Sequence, residues 1–500
     1  MPCQYNNSIL TLVRLLDLVK FFSAILPEIE FPDEKISLDE KVIFTIGSGL
    51  LFFLSQLPIY GLVKDATLKM ADPYPALRPL FALEQGSLLE LGLLPIITSA
   101  FVWQIAAGLK LINVNFNYAQ DRELFQTAQK LTALVLASTF AVALIASGYY
   151  NPVLANYSGE SVPYGSYALI FTQIVGWNFI LNLIAEVIDK GYGFGSGPLC
   201  FIAVNAATQL VRDVVGVEAV TAVPDGVPET YGVVTYFIRA LFSMELKNIK
   251  DAAIGIFARA NFPNLPLVLI LIATGLATIA LQNVRVELPI RSNKARGTAN
   301  VYPIRLLYTG ALPVLFAFTV LANIQLSLHF ASIALQPFYP VISKILESRS
   351  DAGSVVSGLS FYVSAPASLS ESVLSPIRAV VFSSSVLVLA TTFAHFWANI
   401  SGSAPKDIAR QFKDQSIIIA GKRDVSITKE LSKIVPVAAV TGAFSLAVVA
   451  LAGELLGSSG NAAAVTVGIC AAFAILEDFM MDFQQSGGNS QLMNSLGGFQ

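Results

Sequence analysis

Ten stretches free of Asp, Glu, Lys and Arg divide this 500-residue chain, at 42–60, 91–109, 131–150, 164–185, 198–211, 265–284, 306–335, 379–400, 434–453 and 462–476. A helix needs about 20 apolar residues to cross roughly 30 Å of hydrocarbon. Inside lipid only helices and closed barrels satisfy their own backbone hydrogen bonds. Most of the stretches approach that length, and the fifth, which is short, is preceded by an uncharged glycine-rich run at 191–197. The pattern predicts an all-α polytopic membrane protein of about ten transmembrane helices. Composition agrees: 54% of residues are apolar and 13% charged, about half the charged share of a soluble domain. Lipid must cover the surface that charge does not.

Other residue counts exclude other classes. A net charge of −3 does not favour nucleic acid unless basic residues cluster locally. Cys3, Cys200 and Cys470 lie far apart, with neither metal spacing nor a disulfide framework. His329 and His395, the two histidines, sit in apolar runs without nearby carboxylates and read as packed within the helix bundle. Residues 9–26 place Thr11, Arg14, Asp17, Lys20 and Ser23 at every third position, a narrow polar stripe. That predicts an amphipathic helix lying on the membrane surface, within an amino-terminal segment 1–35.

With the amino terminus in the cytosol and sides alternating, 20 of the 31 Lys and Arg fall on the cytosolic side, and both termini lie there. Twelve of those 20 are in two loops, about 285–305 and 399–433. Gly, Pro and Ser punctuate both. They suit phosphate contacts, and they equally suit plain topological anchoring. Between the first two spans, Ala76-Leu-Arg-Pro-Leu-Phe-Ala-Leu83 is too short to span and too apolar for a solvated loop. It reads either as a re-entrant element or as an interfacial loop.

No span carries an acid, Lys or Arg in its interior; Glu90, Glu186, Asp189, Glu454, Glu477 and Asp478 stand at span ends. Coupled transporters usually need ionisable groups near the midplane. Membrane hydrolases need a nucleophile with a base or metal, and no such motif is present. The run Gly191-Tyr-Gly-Phe-Gly-Ser-Gly197 lacks the ending of a phosphate loop and reads as a helix entry with close backbone approach. The residues alone describe a bundle that moves something without chemistry, a metal or a cofactor.

Five motifs, in order, resemble the Sec/SecY α-subunit family. They are Leu88-Leu-Glu-Leu-Gly-Leu-Leu-Pro-Ile-Ile-Thr-Ser99 with Gln104, Asp121-Arg-Glu-Leu-Phe-Gln-Thr-Ala-Gln-Lys130, and Asp189-Lys-Gly-Tyr-Gly-Phe-Gly-Ser-Gly197. Arg285-Val-Glu-Leu-Pro-Ile with Tyr302-Pro-Ile-Arg-Leu-Leu-Tyr-Thr309, and Ser401-Gly-Ser-Ala-Pro-Lys-Asp-Ile-Ala409, complete the set. Through Glu186-Val-Ile-Asp-Lys-Gly191, Val286-Glu-Leu-Pro-Ile-Arg-Ser292, Ala295-Arg-Gly-Thr298 and Gln484-Gln-Ser-Gly-Gly488 the likeness is strongest to the second-translocon homologue of yeast.

That resemblance implies a protein-conducting channel of the endoplasmic-reticulum membrane, taking nascent secretory and membrane proteins from docked ribosomes. It implies two pseudo-symmetric halves around a central pore, 36–252 and 253–483, followed by a cytosolic tail at 484–500. It places an apolar pore ring at Leu93, Ile97, Pro198, Ile202 and Leu315, although Pro198 departs from the usual β-branched residue. It places a plug at about 64–83, including Lys64, Leu77, Leu80 and Leu83. A lateral gate open to membrane lipid and signal sequences carries Asn323, whose usual glutamine partner is Phe140 here. Ribosomal contacts fall on Arg291, Lys294, Arg296, Lys422 and Arg423, and small γ-type and β-type subunits complete the assembly.

Overall fold

The computed structural model describes residues 19–22, 26–62, 72–112, 114, 118–151, 154, 164–220, 229–242, 254–257, 259, 262–292, 299–349, 355–400, 405–414, 417–419 and 424–485. Ten principal helices follow one another: α1 (Leu38–Leu54), α2 (Leu94–Gly108), α3 (Ala119–Ala146), α4 (Tyr164–Val187), α5 (Gly197–Val215), α6 (Leu265–Asn283), α7 (Leu312–Leu335), α8 (Pro376–Ile400), α9 (Asp424–Gly453) and α10 (Asn461–Gln485). Each predicted span coincides with one of them. Eight are long and apolar enough to cross a membrane. Proline stands in the first turn of α2, α5, α6 and α7, where its missing N–H would have had no helical partner. At α1, Ser37 and Glu40 form a capping box.

The two halves end in the same device. After α4 the chain makes a π-turn at Ile188–Tyr192, with Gly191 at φ 94°. After α9 it makes another at Glu454–Ser458, with Gly457 at φ 95°. Only glycine adopts that left-handed backbone without strain. Each turn then lends a carboxylate to the next helix. Asp189 accepts from the Gly197 amide at 2.8 Å. Glu454 accepts from Gly460 at 2.7 Å and Ala463 at 3.0 Å. The two helices so started, α5 and α10, pack on each other, with Gly468 against Ala203 and Ala206. This is the close approach that small residues allow between helices in lipid.

Differences from the sequence reading lie at span ends. Helix α3 begins at Ala119, not 131, because Asp121–Lys130 is charged but still periodic and lies outside the apolar run. Within 285–305, strand β1 (Arg285–Ser292) pairs antiparallel with β2 (Ala299–Arg305), and 399–433 contains a helix at Pro405–Asp414, strand β3 (Ile417–Ile419) and the start of α9. Helix α10 runs on to Gln485, where Lys41 at the start of α1 meets Asp482 at 2.6 Å. Most of the amphipathic stretch at 9–26 lies outside the described residues; 19–22 are helical, with Val19 buried against Trp103 and Phe125. The segment after it straps α3 to α4. Lys130 and Lys190 share Glu186 at 3.1 and 3.0 Å, and also donate to the carbonyls of Pro27 and Ile29.

Glu454→Ala would strand two buried backbone donors, at about 1–3 kcal/mol each. The thermal midpoint in detergent is expected to fall by several degrees, with Glu454→Gln recovering part of the loss. Equal midpoints for wild type and Glu454→Ala would show that the carboxylate does not cap α10.

Candidate functional site at the waist of the bundle

At 15 residues, α2 spans about 22 Å, short of the hydrocarbon thickness. The missing depth is filled by residues 72–93, which fold into the core. A 3-10 turn at Pro75–Leu77 leads into a short helix at Arg78–Phe81. Leu77, Leu80, Phe81 and Leu83 are all buried in the central cluster. The apolar segment 76–83 is therefore re-entrant and not laid on a surface. Its exposed backbone is answered by side chains: Asn205 of α5 donates to Pro79 O at 2.7 Å, and Asn178 of α4 to Gly92 O at 2.8 Å. Arg78 binds Asp72 at 2.9 Å and meets fully buried Glu90 at 3.3 Å, while Tyr149 also reaches Glu90. Lys64 lies outside the described residues.

Above this segment, Leu93, Ile97, Ile202 and Leu315 are buried in the same cluster. Leu93 and Ile97 are one turn apart, the Ile97 amide donating to Leu93 O at 2.9 Å. The first turns of α2 and α7 and the second turn of α5 thus supply an apolar centre with no ionisable group among its members. Pro198 is half-buried and outside the cluster, in the opening turn of α5. A further wall went unnoticed in the sequence: Ala463, Ala464 and Val467 of α10 join the cluster. The likeness of the α4–α5 and α9–α10 turns is the signal that could have placed it.

The seam between α2, α7 and α8 is closed by four aromatic rings. Phe393 stands 5.4 Å from Phe101, 4.3 Å from Phe316 and 5.1 Å from Trp397, centroid to centroid. Each such pair contributes about 0.5–1.5 kcal/mol beyond its burial. Their spacing, Phe393 to Trp397 on one helix face, was the only hint in the sequence. Asn323 does find a polar partner across the seam, on α2 and not α3: its amide donates to Thr98 Oγ1 at 2.9 Å. Phe140 of α3 instead lines a small apolar cavity of about 10 Å³ with Leu94, Leu326 and Phe330.

His329 is buried in the bundle as expected, and His395 is not. His329 faces Glu347, Nδ1 to Oε1 at 3.0 Å, a partner 18 residues away that proximity in sequence could not show. His395 is exposed on the outer face of α8 beside Phe396. Glu347 also binds Arg349, which donates to the Pro73 carbonyl at 2.6 Å and so reaches the re-entrant segment. Burial pushes the Glu347 carboxyl up, but His329 and Arg349 outweigh it and hold it below the ordinary carboxylate range. A depressed value means stability present above that range and lost as pH falls through the folded one.

Of the basic positions, Arg291 falls on a strand of a small sheet. Strand β3 pairs with β1, giving the order β2-β1-β3, with Arg291 opposite Ile418. One sheet thereby joins the two basic segments. Lys294, Arg296, Lys422 and Arg423 lie outside the described residues, in the stretches that leave its strands. The sheet rests on its own core of Ile304, Ile408, Phe412, Ile427, Leu431 and Val435.

Phe393→Ala removes one ring from three stacked or edge contacts and is expected to loosen the seam. The yield of a bifunctional thiol crosslink between Thr98→Cys and Asn323→Cys should fall in that background. An unchanged yield would mean that the rings do not hold α2 against α7 and α8.

Comparison with known proteins places this geometry. The SecY family matches residues 87–476. The Sec sixty-one protein homolog of Saccharomyces cerevisiae is 40% identical over 494 residues, covering 97% of this chain and 98% of that protein. The protein transport protein SEC61 of the same yeast is 37% identical over 459 residues, covering 90% and 92%. Among solved structures, that of the idle yeast Ssh1 complex bound to the yeast 80S ribosome superposes with a TM-score of 0.74 at 37% identity, covering 96% of this chain and 98% of that one. A protein conducting channel at 23% identity superposes at 0.73 and shares the fold. With its re-entrant segment, apolar waist and paired five-helix halves, the chain belongs to the SecY family.

Proposed function

We propose that this chain is the pore-forming subunit of a channel that carries nascent secretory proteins across the endoplasmic-reticulum membrane and releases membrane spans into lipid. The observation that carries it is an uncharged apolar centre, to which α2 contributes Leu93 and Ile97, α5 Ile202 and α7 Leu315, all buried in one cluster. A narrow apolar ring excludes water and ions when shut, yet offers a passing peptide no group to bind, so unrelated sequences can slide through. The re-entrant segment beneath it acts as the plug. The α2–α7–α8 seam is the lateral gate, and it admits signal sequences. A family of translocation channels needs no catalytic residue in this chain, and the energy comes from its partners.

The named relatives are protein-transport proteins, and the yeast complex above is ribosome-bound. We place the β2-β1-β3 sheet on the cytosolic side with both termini. There Arg291, Lys294, Arg296, Lys422 and Arg423 meet ribosomal phosphates, and small γ-type and β-type subunits pack against lipid-facing helices.

Two measurements test this. Ile97→Asn with Ile202→Asn should hydrate the ring and raise planar-bilayer conductance of the purified channel. Wild-type conductance from folded protein would show that these residues are not the constriction. Reversing Arg296 and Arg423 to Glu should weaken sedimentation with ribosomes and flatten its salt dependence, because fewer phosphate counterions are released. An unchanged salt slope would remove the docking role.

A further inference from the structure

The connection from α5 to α6 holds a ten-residue helix, Val233–Phe242. Its inner side is occupied. Val233 is buried, Thr235 donates to the Gly216 carbonyl at 2.7 Å, and Tyr236 packs on the Arg259 guanidinium at 4.4 Å. Arg259 is itself fixed by the Thr230 carbonyl at 2.7 Å and by the Phe262 ring. The outer side is apolar and uncovered: Val234, Ile238, Leu241 and Phe242 are all exposed, the last at 80%. Spacings of three, four and seven put these four on one face. The adjoining turn 254–257, whose Gly255 lies against Tyr236, adds exposed Ile254 and Phe257.

The depth of this helix is set by a glycine contact. Gly216 caps α5, and Gly232, just before the short helix, donates to its carbonyl at 3.0 Å. A Cβ on Gly232 would stand 2.4 Å from the Gly216 amide, so only glycine permits the approach. The helix therefore starts against the last residue of a membrane-crossing helix. The final turn of α5 exposes Val211 and Val215, and Val217 beyond it is also exposed. Arg212 at that level pairs with Glu218 at 2.9 Å and stacks on Tyr231 at 4.8 Å, the chemistry of a headgroup boundary. Exposed Arg239, on the flank of the apolar face, is placed to reach headgroup phosphate.

The geometry points to a lipid foot: Val233–Phe242 lies in the membrane interface at the α5 carboxyl end, with Val234, Ile238, Leu241 and Phe242 inserted among acyl chains. The apolar face continues the lipid-facing belt of α5 and needs no protein to cover it. Nothing in this placement depends on what the pore carries. It gives the segment joining the two halves a fixed point in the bilayer surface.

Nitroxide labels on the full chain in phosphatidylcholine vesicles test this, with Cys3, Cys200 and Cys470 replaced by Ala and monodisperse elution as the folding control. Labels at Ile238→Cys and Leu241→Cys should collide with oxygen severalfold more than with a nickel chelate, approaching a Val211→Cys reference. A label at Glu218→Cys should show the reverse. Access of the chelate to Ile238→Cys equal to that at Glu218→Cys would place the face in water and overturn the foot. Protection from both reagents would mean a protein cover and overturn it equally.

Discussion

A backbone amide or carbonyl within the bilayer has no water to turn to, and each one left unpaired costs several kcal/mol. The π-turns and the re-entrant segment are built around that constraint. At the two π-turns, Asp189 and Glu454 receive the amides that open α5 and α10. In the re-entrant segment the roles divide. Glu90 accepts from the Gly86 amide at 2.6 Å, while the side-chain amides of Asn178 and Asn205 donate to carbonyls at Gly92 and Pro79. A carboxylate beside a helix start also meets the positive end of the peptide dipoles. The buried acids and amides are thus part of the backbone's hydrogen-bond accounting, and they leave the waist free of charge.

That division lets one bundle be both well ordered and openable. Polar partners sit above and below the waist, and the waist itself is held by contacts that are individually small. Dispersion contacts contribute roughly 0.1–0.2 kcal/mol per atom pair, so displacing the side chain of Leu93 or Leu315 from its neighbours strands no side-chain hydrogen bond. The seam follows the same logic. Its rings can slide past one another, and Asn323, which also donates to the Thr319 carbonyl of its own helix at 2.8 Å, keeps a partner when Thr98 leaves.

The ten spans were legible because hydropathy over a lipid-length window is a strong signal, and the order of helices followed from it. The length of α2 was not. The run 91–109 looks like the others, but Pro95 fixes the helix start and the segment before it had to be folded in. The ring positions that the family motifs imply at Leu93, Ile97, Ile202 and Leu315 are all buried in the central cluster, and Pro198 is half-buried in the first turn of α5. Contacts between distant elements were illegible for a plain reason. Thr98 with Asn323, His329 with Glu347 and Arg349 with Pro73 join residues whose separation in sequence says nothing about their separation in space. The sheet order was hidden likewise, since β3 is three residues long and acquires strand geometry only by pairing with β1.

The sheet has a consequence for motion. All three of its strands, and the residues of the small core beneath it, come from the chain between α6 and α9. A body resting on it would hold the second half. Among the described residues, polar contacts that tie the first half across include Lys41 to Asp482 and the Gly195 amide to Asp478 at the sheet side, Asn323 to Thr98 at the seam, and Arg349 to the carbonyls of Asp72 and Pro73 at the other. Arg349 binds carbonyls of the re-entrant segment itself. Parting the halves at the seam therefore acts on that segment, pulling residues 72–73 with the second half while Asn205 retains Pro79 with the first. The segment bridges the parting line, so it cannot stay in place while the seam opens.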